Sequence, residues 1–325
     1  MKDKRALVTG SAGFIGSHLV ELLQSQGTRV TAFVHYNSRN DVGYLTKLPR
    51  RDEIEIVCGD VCDCAVMREC MRGKDVVFHL AGLISVPYSY THPQEVLKTN
   101  LGGTMACLIA AKEAAVPRFI QVSSSEVYGS ALYVPIDEKH PKQPQSIYAG
   151  SKIAADAMAM SFWYSYQFPV TICRPFNTYG PRQSDRAVIS NVIAQAMRSE
   201  VIHLGAVDTR RDFTFVTDTA AGMIKMAQSD ATVGQELNLG TGKDVKILEV
   251  VEAVGRILGK TLTIKADSER LRPATSEVAR LQSCNRKMKD LTGWAPEVTL
   301  EDGLRKTIEW IRQSNPFDQP GSYKV

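Results

Sequence analysis

The sequence predicts an α/β protein: a doubly wound parallel sheet with a smaller C-terminal substrate-binding domain. Three observations carry this. A glycine-rich turn, Gly10-Ser-Ala-Gly13-Phe14-Ile15-Gly16, lies between an apolar run at Arg5–Thr9 and a helical stretch that ends near Gly27. Short apolar runs then alternate with helix-length segments as far as Arg174, the order that builds parallel sheets. Beyond Pro175 the pattern loosens and arginines punctuate it. The expected domains are a dinucleotide-binding unit over residues 1–175, with about 212–242 returning to it, and a mainly substrate-binding unit over 176–325.

In the first unit, the turn after strand one would aim amide N–H groups and a helix N-terminus at a pyrophosphate, making Gly10, Gly13, Phe14, Ile15 and Gly16 candidate cofactor contacts. A second strand, 29–34, should end in an acid that grips the adenosine ribose of NAD. No Asp or Glu occurs between Glu21 and Asp41; His35, Asn37, Ser38 and Arg39 follow the strand instead. A missing carboxylate removes repulsion of a 2′-phosphate, which Ser38 and Arg39 could bind. The expected cofactor is therefore tightly bound NAD(P) with a lean to NADP, a solvated Arg39 being the competing reading. A third strand, 54–58, brings Asp60 and Val61 to the adenine. A fourth, 75–80, ends at Leu80-Ala81-Gly82, where a cofactor backbone can pass closely.

The helices expected at 94–115, which carries Asn100 as a further cofactor contact, and at 148–167 are longer and more apolar than one sheet face requires. A helix-bundle homodimer follows, with simple sheet packing as the alternative.

Between those helices lies the chemical centre. The strand Phe119–Val122 stops at three serines, so Ser124, Ser125 and Glu126 sit at its carboxyl end, where open parallel sheets bind ligands. Ser146 is a helix cap, and Tyr148 and Lys152, four apart, share a helix face. A phenol titrates near about 10 in isolation, and a neighbouring ammonium favours the phenolate, a usable base near neutral pH. A surface Tyr beside a solvated Lys is the bland reading of this spacing; Ser124 and the glycine turn argue against it. A sixth strand spans 169–174.

Later come Arg182, Arg186, Arg210, Arg211, Arg270 and Arg272. Their planar forks suit phosphate oxygens, so this half reads as a lid for a diphosphate compound, although any one of them could be a surface ion pair. Only 315–325 looks loose.

With 325 residues, 44% hydrophobic and 23% charged, the chain can bury a full core. The net charge of +4 is spread out, arguing against nucleic-acid and membrane partners. No apolar run reaches the roughly 18 residues of a membrane span, and Met1-Lys-Asp-Lys-Arg5 leads straight into a strand, so the expected location is cytoplasmic. Cys58, Cys62, Cys64 and Cys70 cluster, but without paired spacing or a His among them, so no metal is expected and the seven thiols should be free.

Together, the Thr9–Gly16 glycine pattern, Ser124 and Tyr148-x-x-x-Lys152 make the chain resemble the extended short-chain dehydrogenase/reductase family, the NAD(P)-dependent nucleotide-sugar epimerases and dehydratases built on a Rossmann sheet. RPFNTYGPR at 174–182, RDFTFVTD at 211–218 and NLGTG at 238–242 extend the resemblance over nearly the whole chain. It implies a redox triad of Ser124, Tyr148 and Lys152. It also implies that Asn177, Arg211 and Arg272 hold the sugar-nucleotide diphosphate, and that main chain near Val188 meets the base. Ser85 is a further candidate substrate contact.

Within that family, 4,6-dehydratases carry Thr-Asp-Glu before VYG, and 4-epimerases lack the Glu. Here Ser124-Ser125-Glu126 keeps the base and replaces the acid. With YNS at 36–38, PFNTYGPRQS at 175–184 and LRPATSEV at 271–278, the chain is similar to UDP-N-acetylglucosamine 4,6-dehydratases of the legionaminic-acid type. The implied lyase reaction is C4 oxidation, C5 deprotonation by Glu126, loss of water from C6 with the proton passing through Ser125 or water, and hydride return. Return to C4 instead would give a 5,6-ene. A 4-epimerase, a C6 decarboxylase and a non-catalytic dinucleotide-binding redox sensor are the other readings.

Overall fold

The computed structural model describes residues 1–317. Its strands are, in chain order, β1 (Arg5–Thr9), β2 (Arg29–His35), β3 (Glu55–Gly59), β4 (Val76–His79), β5 (Phe119–Val122) and β6 (Val170–Pro175). There follow β7 (Asn177–Tyr179), β8 (Val201–Leu204), β9 (Arg210–Phe215), β10 (Glu236–Leu239), β11 (Asp244–Lys246), β12 (Thr263–Ala266) and β13 (Arg280–Leu281).

Seven of them form one parallel sheet in the order β10-β6-β5-β4-β1-β2-β3, with helices on both faces. This is the doubly wound fold the sequence predicts. Residues of β4, β5 and β6 are buried throughout, which is why these strands read as unbroken apolar runs rather than alternating ones. Val8, Ile120 and Val122 face one layer, packed with Leu19 and Leu23 of the helix Phe14–Ser25 and Met223 of Val216–Gln228. Leu7, Phe119 and Ile172 face the other, with Leu108 of Gly103–Glu113 and Phe162 of Ile147–Tyr166. The strand order reverses beside β1, opening the ligand crevice between β1 and β4.

Three features add to or depart from the expected pattern. First, a seventh strand joins the six of residues 1–175: β10, within the segment expected to return at about 212–242, pairs in register with β6, Asn238 opposite Arg174. Its apolar residues, Leu237 and Leu239, are fully buried in the main core. Second, the helix expected over 94–115 runs from Pro93 to Glu113 but carries a π turn at Lys98–Gly102 between Pro93–Leu97 and Gly103–Glu113. Asn100 sits in that turn and clamps the loop after β4: its Oδ1 accepts from Leu83 N at 2.8 Å, and its Nδ2 donates to Leu83 O at 3.0 Å and Ser151 Oγ at 2.9 Å. Such turns mark functional sites more often than regular helix does. Third, Asn315–Phe317 is not loose: Phe317 is buried and its carbonyl accepts from Arg198 at 3.0 Å. The remainder of the expected loose tail lies outside the described residues.

The second half builds around β9, which pairs with β7, β11 and β13 over a separate core that includes Phe213, Ile247 and Leu304. All seven cysteines are free, and among the described residues no group of His, Cys, Asp or Glu could hold a metal ion. No described helix is long and apolar enough to cross a membrane.

Candidate active site

At the end of β1 the chain turns through Gly10, whose φ of +68° suits glycine and where a Cβ would lie 2.9 Å from Ala81 N. At Gly16 a Cβ would meet Gly10 O at 2.2 Å, so the helix can approach the turn only without side chains. No side chain caps that helix, which leaves the first-turn amides of Phe14, Ile15 and Gly16 for an outside acceptor. Beyond β2, Asn37 organises the loop: its Oδ1 accepts from Arg39 N at 3.2 Å and Asp41 N at 3.0 Å, while His35, Ser38 and Arg39 are exposed. Asp60 follows β3, its carboxyl held below the usual range chiefly by Cys62 N–H at 2.9 Å, and Val61 is buried next to it. Leu80, Ala81 and Gly82 close the crevice from β4, with Ala81 N donating to Thr9 Oγ1 at 3.1 Å. Bare amides at a helix start and a backbone approach that a Cβ would block fit a dinucleotide.

The helix Ile147–Tyr166 starts at Ser146, whose Oγ accepts from Ala149 N at 3.1 Å. Tyr148, Lys152 and Asp156 follow at four-residue intervals on one face, all buried. The Ser124 hydroxyl hydrogen-bonds the Tyr148 phenol and also accepts from Glu126 N at 3.2 Å. Ser125 is buried in the 3-10 turn Ser125–Tyr128 that carries Glu126. Lys152 Nζ donates to Val122 O at 2.6 Å.

Electrostatically the pair differs from the expectation that Lys152 makes the phenol acidic. Burial pushes Tyr148 up to about 12; the Ser124 hydrogen bond opposes this, and the Glu126 and Asp156 carboxylates add to it. Burial lowers the Lys152 ammonium, with Asp156 opposing. The ammonium is held on a strand carbonyl, so desolvation of the phenol decides the outcome.

Beneath the crevice, His79 is fully enclosed between Thr9 Oγ1 at 2.8 Å and Thr104 Oγ1 at 3.2 Å. Burial, assisted by the Lys152 charge, pushes its pKa down to about 3. Because this lies below the unfolded value near 6.5, the unfolded chain takes the proton first and stability falls as pH drops from about 6.5 toward 3. The loss from this group is about 2 kcal/mol at pH 5. Denaturant unfolding at pH 7 and pH 5 checks it: the acid-side loss should shrink in His79→Gln, and an identical loss in the variant would refute the assignment.

A cavity of about 320 Å³ opens over the carboxyl end of the sheet. Asn177, Val188, Arg211 and Arg272 line it, as the resemblance implied, and so does Glu126. Glu126 Oε2 lies 3.4 Å from Arg272 Nη1, and Arg211 Nη2 lies 3.3 Å from Glu277 Oε1. Burial lowers the Arg211 pKa, with the Glu126 charge opposing, so the two ion pairs sense each other. Asn177 Oδ1 is buried without a partner among the described residues, an acceptor suited to a ligand donor. Ser85 Oγ accepts from Tyr88 N at 3.3 Å to cap the helix Val86–Thr91, two residues before Pro87, which lines the cavity.

The six arginines divide. Arg186, Arg211, Arg270 and Arg272 line the cavity, with Arg270 also held by Asp267 at 2.8 Å. Arg182 instead ties the loop after β7 to Glu21 of the dinucleotide helix at 2.6 Å, and Arg210 pairs with Asp244 at 3.0 Å. Glu277 carries no signal of its own within LRPATSEV; folding is what brings it to Arg211.

A nucleotide crevice, a Ser-Tyr-Lys constellation at its mouth and an arginine-lined cavity beyond it define an extended short-chain dehydrogenase/reductase of the nucleotide-sugar dehydratase and epimerase type. Within that class the chain belongs to the GDP-mannose 4,6 dehydratase family, whose model matches residues 7–307.

The chain is 32% identical over 328 residues to dTDP-D-glucose 4,6-dehydratase of Homo sapiens, covering 96% of this chain and 91% of that protein. Among solved structures it is similar to UDP-N-acetylglucosamine 4-epimerase from Methanobrevibacter ruminantium in complex with UDP-N-acetylmuramic acid. That match has TM-score 0.87 and 31% identity and covers 97% of this chain and 100% of that one. It is also similar to DesIV, a dTDP-glucose 4,6-dehydratase from Streptomyces venezuelae with NAD and TYD bound, at TM-score 0.87 and 27% identity, covering 96% and 98%.

Proposed function

We propose that the protein is a nucleotide-sugar 4,6-dehydratase acting on UDP-N-acetylglucosamine or a close relative. The observation that carries this reading is Glu126: a carboxylate lining the arginine-rich cavity and close enough to Tyr148 to shift its titration. An epimerase needs the triad but has no use for a second base at that point.

The cofactor we propose is a nicotinamide dinucleotide, held by the Gly10–Gly16 turn, Asp60, Val61, the Leu80–Gly82 segment and Asn100. When bound it supplies the hydride acceptor for C4 and the donor for the return step. NAD is bound by DesIV; the exposed Ser38 and Arg39 keep NADP as our preferred form, and the ratio of the two dissociation constants decides.

In the reaction, Tyr148 takes the O4 proton, with Ser124 hydrogen-bonded to it and Lys152 held one turn along the helix on Val122 O. The resulting 4-keto group acidifies C5–H. Glu126 removes that proton and, with a serine in place of the usual acid, delivers it to the departing C6 hydroxyl through Ser125 or water; when hydride returns to C6, C5 takes a new proton that Glu126 draws from solvent. Asn177, Arg211 and Arg272 hold the diphosphate, and main chain at Val188 meets the base. For this to happen the diphosphate must take over the arginines now paired with Glu126 and Glu277. Arg211→Met should therefore raise KM by about 10–100-fold, the loss of one or two charge-assisted hydrogen bonds, while changing kcat less. Steady-state kinetics check it: an unchanged KM removes Arg211 from the site.

The deciding experiment is incubation with UDP-N-acetylglucosamine in deuterated water, followed by NMR of the product. A C6 methyl with deuterium at C5 supports the dehydratase, and a 5,6-ene indicates hydride return to C4. An intact CH2OH with inverted C4 sinks the reading in favour of an epimerase. The exposed Leu97, Tyr164 and Tyr166 on the outer helices support a homodimer, which light scattering tests.

A further inference from the structure

Three consecutive residues at the end of β5 are gripped by three successive turns of one helix. Ser124 meets Tyr148, Val122 O accepts from Lys152, and Ser123 Oγ donates to Asp156 Oδ2 at 2.8 Å. Asp156 is fully buried, and the same oxygen accepts from Arg174 Nε at 3.1 Å and Nη2 at 3.0 Å. Its Oδ1 has no hydrogen-bond partner among the described residues. Arg174, itself fully buried, continues to Glu236 Oε2 of β10 at 2.7 Å and to Tyr128 OH at 3.1 Å.

We propose that Asp156 is a positioning residue for the proton-transfer pair: its buried carboxylate locks the Tyr148 helix to the end of β5 and places a negative charge one helix turn from Lys152. The proposal rests on the dehydratase reading only for what the pair does, not for how it titrates. Lys152 shares its helix face with Asp156 one turn away. Arg174 does not neutralise Asp156 alone, because Glu236 competes for the same guanidinium. The groups acting on Tyr148 and Lys152 are Ser124 and Glu126 from the turn after β5, His79 from β4 and Asp156 from their own helix. Those facing Asp156 are Arg174 and Cys173 of β6, with Tyr128 and Glu236 behind Arg174.

Removing one negative charge lowers the pKa of every neighbouring group, whichever its type. In Asp156→Asn, Tyr148 and Lys152 should both titrate lower, by about one pH unit each. Ser123→Ala, which removes a hydrogen bond and no charge, should leave both in place. Alkaline titration of tyrosine-labelled protein with NAD added, read by carbon NMR, follows Tyr148 without substrate, with Tyr148→Phe assigning its signal. The pH profile of sugar oxidation then reports both limbs, which should move together toward acid.

If Asp156→Asn does not fold, Glu236→Gln, which loses a partly exposed charge, should show a smaller shift of the same sign. Unmoved titrations in a folded Asp156→Asn, or in Glu236→Gln where that variant decides, overturn the proposal. Failure to turn over the nucleotide sugar with a shifted Tyr148 signal would overturn the dehydratase reading and leave this one standing.

Discussion

Glu126→Gln should stop loss of water by about 10³-fold while still allowing C4 oxidation, so that reduced nicotinamide absorbance accumulates on adding the nucleotide sugar. The amide keeps the shape of the side chain but cannot accept the C5 proton. It also weakens the ion pair with Arg272, 27% exposed at its side chain, so substrate binding should change little or tighten as the guanidinium is freed. Stopped-flow absorbance at the reduced-cofactor band separates this from a collapsed site, which would produce no reduced cofactor. Full dehydration by the variant would take Glu126 out of the chemistry.

Tyr148→Phe should remove the first step altogether, lowering C4 oxidation by about 10³-fold with no reduced cofactor. In the intact protein the same residue predicts a pH dependence. With the phenol pushed up to about 12 by burial, the fraction present as base grows about tenfold per pH unit across the neutral range. The oxidation rate should climb with pH until Lys152, lowered by burial, loses its proton. A rate flat with pH between neutral and alkaline conditions would mean that proton transfer is not limiting or that another group accepts the O4 proton.

Much of this architecture was legible because its rules are local. Gly10 and Gly16 stand out since a positive φ and a side-chain-free approach admit few residue types. Tyr148 and Lys152 declare a shared face through helical spacing alone. The strands from β4 to β6 read as apolar runs because both of their faces are covered.

Other features were hidden. Arg182 and Arg211 are the same residue type in similar motifs, yet one braces the dinucleotide helix and the other lines the cavity. Nothing near Asp156 in sequence announces Arg174 and Glu236 as its surroundings. The π turn at Asn100 was also invisible, since it depends on the loop at Leu83 that the asparagine clamps.

By itself, then, the amino-acid order specified the parallel sheet, the nucleotide turn and the residue types available for acid–base work, all consequences of spacing along one chain. Only the packed molecule decided which charges are partnered, that β10 pairs beside β6, and that burial raises the phenol rather than lowering it. Desolvation and ion pairing depend on distances between segments far apart in the chain, and those distances exist only after folding.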